Sequence, residues 1–303
     1  MKIIDNQVIE YHQKSSLDGV FEAIRDAAAI CYQTDIDKMK LSPKDFVERV
    51  LLPKGHVRPL EFGTVYLTIN ETDPDYNNIA SEIVLYQHNP YSKAIYNSVH
   101  HAWYITTNYC VIMMGTYGNN IKEALLHNYD RNFKHHLKWM TEPTPYHYQR
   151  KTFNIICSRG CSDDLRTHIT LSSMCESTRF CNYSKDKFGG ELTFIRPYWI
   201  PQNVDIEPIV HKLNYTETPN SFKLNEDEYI LYLYRLSEQN YINIARFQPA
   251  QVAKRVYPLG AKVELRLCGF KDAWNTFIWR RTDEHADPEC QIVANQITEL
   301  LNN

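Results

Sequence analysis

The order in which strand-like and helix-like segments follow one another is the feature that most constrains the fold of this chain. Residues 64–69 alternate apolar with polar side chains, as a strand with one buried face does, and 151–157 and 261–268 indicate two further strands. Long helical patterns such as 17–32, with apolar side chains on one face, separate these strands. Because strands and helices do not alternate in a regular βαβ order, the sequence predicts that residues 1–303 form a single α+β domain.

The segments between these elements have weaker patterns. Residues 96–127 are predicted to be helical, with a break around 115–118, and 197–219 to form a long irregular connection. Residues 225–242 have an amphipathic pattern with an acidic first turn, which favours a helix. The sequence shows no internal repeat or low-complexity tract that would divide the chain further.

The composition argues against several classes of partner. The chain carries 33 basic and 36 acidic residues, a formal net charge of −3, so its overall charge does not attract nucleic acid or anionic lipid. No apolar run is long enough to span a bilayer, and the N-terminal MKIIDNQVIEYHQ lacks the basic and apolar regions of a secretory signal. We therefore expect a cytoplasmic protein that binds neither nucleic acid nor membranes.

The positions of the cysteines and glycines argue against several kinds of metal site and active site. The eight cysteines are scattered, as free thiols are, and the close pair Cys157 and Cys161 has no two further ligands at the spacing of a zinc site. The sequence lacks the glycine-rich motifs of Rossmann and P-loop sites and the nucleophile elbow of α/β-hydrolases. The expectation is a protein with no metal site and with none of these common active sites.

The densest group of ionisable side chains is SRGCSDDLRTHITLSSMCESTRFCNYSKDKFGG, residues 158–190. On a helix, His168, Ser172, Glu176 and Arg179 would recur on one face. A face of this kind is costly to bury unless its groups are paired or bind a polar ligand.

Two interpretations of this stretch remain open from the residues alone. Glu176 and Arg179 would form an ordinary ion pair if the helix were solvated. Alternatively the stretch lines a polar pocket, because Met174 and Phe180 are not typical of a solvent-facing surface and the run follows a strand directly. In that case Arg179 and Ser177 suit a phosphate or a carboxylate, since a guanidinium and a hydroxyl both donate hydrogen bonds to such anions.

Residues 167–179, THITLSSMCESTR, resemble the signature R-H-R-x-x-S-x-N-E-x-S-x-R of the flavin-dependent thymidylate synthase family. Half of its eight fixed positions match, and these are His168, Ser172, Ser177 and Arg179. The others differ: Thr167 and Ile169 replace the two arginines of the triplet, and Met174 and Cys175 replace the Asn-Glu pair. Further stretches resemble one branch of the family, in the same order along nearly the whole chain: 54–67, 89–97, 103–109, 143–153, 158–165, 176–195 and 253–289.

This resemblance implies a fold, an assembly and an activity. The expected fold is one α+β domain with a central, mainly antiparallel sheet flanked by long helices, and the expected assembly is a homotetramer with active sites between protomers. The implied reaction is methylation of dUMP at C5 of uracil to give dTMP. Its implied cofactors are methylenetetrahydrofolate, FAD and NADPH.

The resemblance also implies roles for residues of the nucleotide site. Ser177 and Arg179 match members of the dUMP site. Arg281 matches an arginine that contacts the uracil ring, so it is the candidate catalytic residue as well as a dUMP contact. Lys254 aligns with a further dUMP-binding arginine of the family. The lysine keeps the positive charge of that arginine but lacks the planar fork of a guanidinium.

The flavin side of the resemblance is less complete. His168 and Ser172 are the candidate FAD contacts. Thr167 and Ile169 supply none of the positive charge of the arginines they replace, and Phe62 replaces a family histidine. The pattern indicates a nucleotide pocket retained beside a changed cofactor pocket.

Three functions remain open on this basis. The first is dTMP synthesis with FAD held through another cation, such as Arg166 or Arg159. The second is a flavin-independent modification, such as hydroxymethylation of a pyrimidine nucleotide, with Cys175 as a nucleophile at C6 of the base. The third is a non-catalytic paralogue that binds a nucleotide. Glu176 is a further candidate residue of the same site.

Overall fold

A computed structural model of the protein describes residues 1–72, 76–114, 122, 138–140, 142–215 and 224–302. In chain order its strands are β1 (Lys2–Ile4), β2 (Gln7–Tyr11), β3 (Thr64–Asn70), β4 (Lys93–Asn97), β5 (Ala102–Asn108), β6 (Lys138–Met140), β7 (Arg150–Ser158), β8 (Ser172–Cys175), β9 (Thr193–Ile195) and β10 (Lys262–Phe270). Its α-helices are α1 (Leu17–Tyr32), α2 (Pro43–Phe46), α3 (Tyr76–Gln87), α4 (Tyr109–Met114), α5 (Arg159–Leu165), α6 (Glu207–Tyr215), α7 (Glu226–Ala245), α8 (Ala250–Ala253), α9 (Lys271–Arg281) and α10 (Pro288–Asn302). Short 3-10 or π-helical turns span Ile36–Lys38, Val47–Leu51, Arg58–Phe62, Asp186–Phe188 and Lys254–Val256. Among the described residues, no helix has the length and apolar character needed to cross a membrane.

The described strands form two four-stranded sheets and one small pair. Sheet I has the order β2-β7-β10-β8 and sheet II the order β4-β5-β3-β6, and neighbouring strands in both are antiparallel. Strand β1 pairs in parallel with β9. The predicted α+β class with mainly antiparallel strands is therefore confirmed, and eight of the ten described strands are divided between two sheets.

Helix α1 packs against both sheets. Ser16 caps its N-terminus, because the Ser16 hydroxyl accepts a hydrogen bond from the Gly19 amide at 2.9 Å. Further along, Ile24 packs in the same hydrophobic cluster as Val65 of sheet II. Ala27 packs against Cys268 of sheet I. The amphipathic helix predicted for 17–32 thus joins the two sheets.

Sheet I has one apolar and one polar face, because successive strand residues point to opposite sides. The apolar face packs against α9 and α10 in a cluster of fully buried side chains that includes Phe153, Ile155, Val263, Leu265, Leu267, Trp274, Phe277, Val293 and Ile297. The polar face carries Arg150 and Asn154 of β7, Ser172 of β8, and Glu264 and Arg266 of β10. Helix α1 lies on this second face, so these polar groups are largely enclosed.

The helical prediction for 96–127 is wrong for residues 96–108, where β4 ends and turns into β5 to form a hairpin. Tyr109–Met114 is helical as predicted, and so is residue 122, while 115–121 and 123–127 lie outside the described residues. The segment WYITTN is rich in aromatic and β-branched residues, which fit a strand with close neighbours on both sides.

Two other segments also differ from the sequence predictions. The connection predicted to be irregular contains α6, and its residues 216–219 lie outside the described part of the chain. In the stretch 158–190, only Arg159–Leu165 is α-helical, after which the chain turns and enters β8. The four residues of β8 pair with β10, so tertiary pairing overrides the helical spacing of the polar residues.

Candidate functional site

Arg281 at the end of α9 contacts the turn that precedes β8. Its Nε atom donates a hydrogen bond to Nε2 of His168 at 3.0 Å, and its Nη2 atom donates to Oγ1 of Thr167 at 2.8 Å and to the Asp164 carbonyl at 2.6 Å. The imidazole also packs on the Phe277 ring, with 4.8 Å between the ring centroids. The guanidinium of Arg281 therefore lies directly beside the segment in which two arginines of the signature are missing.

The imidazole of His168 is neutral at physiological pH. Burial, together with the charges of Arg281 and Arg280, lowers its pKa to about 4. Because Nε2 accepts a hydrogen bond from Arg281, the ring proton lies on Nδ1. His168 thus holds Arg281 as an acceptor, and no carboxylate among the described residues forms an ion pair with Arg281.

This lowered pKa predicts a pH dependence of stability. The pKa of His168 is about 4 in the folded chain against 6.5 for the unfolded reference, so between these values the unfolded chain binds a proton that the folded chain excludes. The free energy of unfolding should fall by about 3 kcal/mol as pH drops from about 7 to about 4. Urea unfolding across this pH range measures the loss, and the His168→Gln variant should lack this component. An identical pH dependence in the variant would contradict the assignment.

Ser172 is enclosed and bound by an arginine that the sequence reasoning missed. Nη2 of Arg150 lies 3.3 Å from Oγ of Ser172, and Nη1 donates to the Glu61 carbonyl at 3.0 Å and to Oγ1 of Thr64 at 3.2 Å. Arg150 therefore links sheet I to the start of sheet II and fixes the serine that the resemblance assigns to FAD. No sequence signal identified Arg150, since its partners lie 22 to 89 residues away.

Glu176, at the end of β8, is the centre of a buried hydrogen-bond network. Its carboxylate accepts from the Tyr183 hydroxyl at 2.6 Å, from Nζ of Lys262 at 3.1 Å and from the Glu264 amide at 3.0 Å. Burial alone would lower the pKa of Lys262, but the carboxylates of Glu176 and Glu264 raise it overall. Glu176 is thus occupied by protein groups and holds the chain that follows it in place.

Removing this carboxylate is expected to destabilise the fold. Glu176→Gln should lower the free energy of unfolding by about 3 kcal/mol, since Lys262 and Tyr183 each lose a charged partner inside the protein. Urea unfolding provides the measurement. The control is Glu48→Gln, whose carboxylate lies 3.8 Å from Lys44 at the surface and should contribute less than about 0.5 kcal/mol. Equal losses in the two variants would refute a central role for Glu176.

Ser177 and Arg179 form a tight turn immediately after this network. The Arg179 amide donates to Oγ of Ser177 at 3.3 Å, and the Ser177 amide donates to the Cys31 carbonyl at 3.0 Å. The Phe180 ring packs on Tyr32, with 4.9 Å between centroids. Arg179 itself is exposed. The turn is therefore anchored to the end of α1 while the guanidinium remains accessible.

A cavity of about 560 Å³ lies beside this turn. One wall is the last part of α1, including Cys31 and Tyr32, and Met174 of β8 forms part of the floor. The loop that follows α2 forms the opposite wall and brings three exposed basic side chains to the rim, which are Lys54, His56 and Arg58. An apolar cavity with a basic rim suits a planar base that carries a phosphate.

A second cavity, of about 530 Å³, lies on the other side of β8, beside the turn that contains His168. Thr170, Tyr148 and Phe270 line it. The only ion pair that we identify among its described lining residues joins Nζ of Lys93 to Asp272 at 2.6 Å. Aromatic rings and hydroxyl groups thus line a space that reaches Thr170, two residues after His168.

Lys254, the remaining dUMP candidate, lies on a segment joined to the turn of Ser177. The side chain of Lys254 is half-buried in the 3-10 turn after α8. Three residues later, the Tyr257 ring stacks on Tyr183, with 5.6 Å between centroids. This stacking connects the Lys254 segment to the loop that carries Ser177 and Arg179.

Two candidates from the sequence have little freedom to act on a ligand. Burial raises the pKa of the Cys175 thiol, although Arg166 and Arg159 act in the opposite direction, so the thiolate that a nucleophile needs is disfavoured. Arg166 donates to the Ser162 carbonyl at 3.2 Å and forms an ion pair with Asp163. Asp163 also pairs with Arg159 at 3.2 Å, so one carboxylate holds both guanidinium groups in place.

The candidate residues lie in two groups at opposite ends of β8. Arg281 and His168 meet before the strand, and Ser177 and Arg179 follow it. A four-residue strand spans roughly 13 Å at 3.3 Å per residue, which is too far for a single small anion to bridge.

Comparisons with known proteins place this chain in a family. Its residues 94–303 match the family model described as thymidylate synthase complementing protein. It is also similar to the flavin-dependent thymidylate synthase of Helicobacter pylori complexed with FAD and dUMP, with 14% identity, 97% of this chain and 92% of that chain covered, and a TM-score of 0.39. A UMP/dUMP methylase, PolB, from Streptomyces cacaoi bound with 5-Br UMP matches with 12% identity, 99% and 91% coverage, and a TM-score of 0.40. No curated protein matched the sequence. The family model covers more than two thirds of the chain, and the protein therefore belongs to the thymidylate synthase complementing protein family.

Proposed function

We propose that this protein methylates dUMP to dTMP, with methylenetetrahydrofolate as the one-carbon donor and with FAD and NADPH as redox cofactors. The observation that carries this proposal is the position of Arg281. Its guanidinium donates to Thr167 and His168, and so returns a cation to the segment in which the arginines of the signature are absent. The charge expected at a flavin site is thus supplied from α9.

The residues beside this turn fit a phosphate-bearing cofactor. All three recorded hydrogen-bond partners of Arg281 are neutral, being an imidazole, a hydroxyl and a carbonyl, so its full charge is available to an anion. Ile169 is 81% exposed next to it and offers an apolar surface for a ring. When bound, FAD would supply the hydride that reduces the transferred one-carbon unit. We assign the replacement charge to Arg281 and not to Arg166, because Arg166 is held by the carboxylate of Asp163, which it shares with Arg159, whereas Arg281 bonds to neutral groups.

The nucleotide phosphate is assigned to the other end of β8. Arg179 is exposed there, and the turn that holds Ser177 is anchored to α1. Lys254 contributes a further positive charge from the segment that stacks on the same loop. These groups orient the nucleotide, since a guanidinium, a hydroxyl and an ammonium each donate to phosphate oxygens.

The separation of the two groups supports an active site shared between copies of the chain. Arg281 is proposed to contact both the flavin and the uracil ring, Arg179 is the proposed phosphate contact, and the two arginines lie at opposite ends of β8. We therefore propose that one copy supplies Arg281 and a neighbouring copy supplies Ser177 and Arg179. A closed homotetramer provides such shared sites by symmetry.

The visible absorption spectrum of the purified protein tests this proposal. After incubation with FAD and removal of free cofactor, a retained flavin band is expected. A colourless protein that still binds dUMP would overturn the flavin-dependent reaction. The hydroxymethylating alternative is not favoured, because the raised pKa of Cys175 opposes the nucleophile that it requires.

A further inference from the structure

The loop that joins α3 to β4 brings sheet II against the turn that carries His168. The Tyr91 hydroxyl in this loop donates a hydrogen bond to the Ile169 carbonyl at 3.0 Å. The turn is closed by the Leu171 amide, which donates to the His168 carbonyl at 3.0 Å, so Ile169 is one of its two central residues. Because the Ile169 side chain is 81% exposed, packing of that side chain does not fix the turn. The Tyr91 hydroxyl therefore holds the backbone directly after the imidazole.

Tyr91 itself has a fixed position on sheet II. Its amide donates to Oδ1 of Asn89 at 2.7 Å, and the Ser92 amide donates to the Asn89 carbonyl at 3.1 Å. Oγ of Ser92 lies 2.6 Å from Oγ1 of Thr107 in β5, and both hydroxyls belong to buried side chains. A hydroxyl carried by such a loop can hold its acceptor at a defined place, because the supporting residues are themselves locked by packing and hydrogen bonds.

A second contact from sheet II reaches α9, the helix that ends at Arg281. Nζ of Lys93 in β4 pairs with Asp272 in the first turn of α9 at 2.6 Å. The Asp272 side chain is 65% exposed, so solvent weakens this pair. Sheet II thus contacts both segments whose meeting forms the hydrogen bond between Arg281 and His168.

Tyr91 touches the turn and not the adjoining cavity. That cavity, of about 530 Å³, is lined by the neighbouring residues Asn89 and Ser92 and by Thr170 of the turn. Tyr91 is not among the described residues that line it. Loss of the Tyr91 hydroxyl would therefore change the contacts of a bound ligand only by way of the turn.

We propose that Tyr91 is a positioning residue, whose hydroxyl holds the turn so that Thr167 and His168 meet Arg281 on the flavin side of the site. Both of these partners of Arg281 lie within two residues of the carbonyl that Tyr91 holds. The role of Tyr91 rests on the proposed function, because the flavin side belongs to that function.

The Tyr91→Phe variant tests this role, because it keeps the ring and removes the hydroxyl. The pKa of His168 should rise from about 4 towards its ordinary value of 6.5, since a released turn moves the imidazole away from the charge of Arg281. The Kd for FAD should rise by about three- to tenfold, as expected for the loss of one hydrogen bond. The Tm should fall by less than about 2 °C, because the lost hydrogen bond is exposed. NMR titration of the imidazole, flavin fluorescence titration and thermal unfolding provide the measurements.

The matched control is Tyr96→Phe, which removes a hydroxyl in β4 that donates to Glu71 at 2.8 Å. This control should leave the pKa of His168 and the Kd for FAD unchanged. An unchanged His168 pKa in Tyr91→Phe, an unchanged Kd in a protein that binds FAD, or equal changes in the two variants would overturn the role of Tyr91. A wild-type protein that binds no FAD would contradict the proposed function, and the pKa of His168 would then decide by itself whether Tyr91 positions the turn.

Discussion

Replacing Arg281 by glutamine is expected to lower kcat/KM for dUMP methylation by about 100- to 1000-fold. The guanidinium is half-buried, bonds only to neutral groups among the described residues, and lies beside the segment in which the arginines of the signature are absent. Losing a charged hydrogen-bond donor at such a position costs about 3 to 4 kcal/mol, and each 1.36 kcal/mol corresponds to about tenfold in rate. Steady-state kinetics with varied dUMP provides the measurement.

The neighbouring Arg280 supplies a matched control for this variant. Arg280 is exposed on the same helix, and Arg280→Gln should change kcat/KM by less than about threefold. A second readout is the pKa of His168, which should rise in Arg281→Gln because a nearby positive charge is removed. NMR titration of the imidazole reports this shift without any turnover. Wild-type kinetics in Arg281→Gln would contradict the proposed role.

Two inactive variants are expected to restore activity when they assemble together. Arg281→Gln and Arg179→Gln should each be nearly inactive alone, because each removes one half of the shared site. If one copy supplies Arg281 and another supplies Arg179, random hybrids made from equal amounts should recover roughly one quarter of the wild-type rate. Co-expression with two affinity tags, followed by tandem purification and assay, measures this recovery.

The same experiment distinguishes a shared site from a site within one chain. If a single chain supplied both arginines, no hybrid would contain an intact site, and the mixture would remain inactive. The control is a mixture of Arg281→Gln with Arg281→Ala, which lacks that arginine in every copy and must stay inactive in both cases. Recovery in the control would mean that the variants themselves retain activity.

The sequence predicted the elements whose own pattern is strong. The helix at 17–32 and the strands at 151–157 and 261–268 appear close to their predicted bounds, because each has a clear apolar period. The hairpin of β4 and β5 was missed, since a short run of aromatic and β-branched residues also fits a helix when its strand partners are unknown. The helical alignment considered for 158–190 does not occur, because β8 forms by pairing with a strand about 90 residues later.

The candidate site shows the same division between local and distant contacts. Ser177 and Arg179 are close in sequence and are joined by a local turn, and the signature singled out both residues. The contact between Arg281 and His168 joins residues 113 positions apart, and that between Glu176 and Lys262 joins residues 86 apart. Sequence patterns report neighbours along a helix or strand, so only the folded chain reveals that Arg281 reaches the turn before β8.

The mass of the nucleotide formed from dUMP tests the central claim most directly. The purified protein is incubated with dUMP, methylenetetrahydrofolate, NADPH and FAD. The nucleotide products are then separated, and their molecular masses are measured by mass spectrometry. The expected product is dTMP, with its formation abolished when FAD is omitted from flavin-free protein. Hydroxymethylated dUMP, dTMP formed equally well without flavin, or unchanged dUMP despite tight binding would each contradict it.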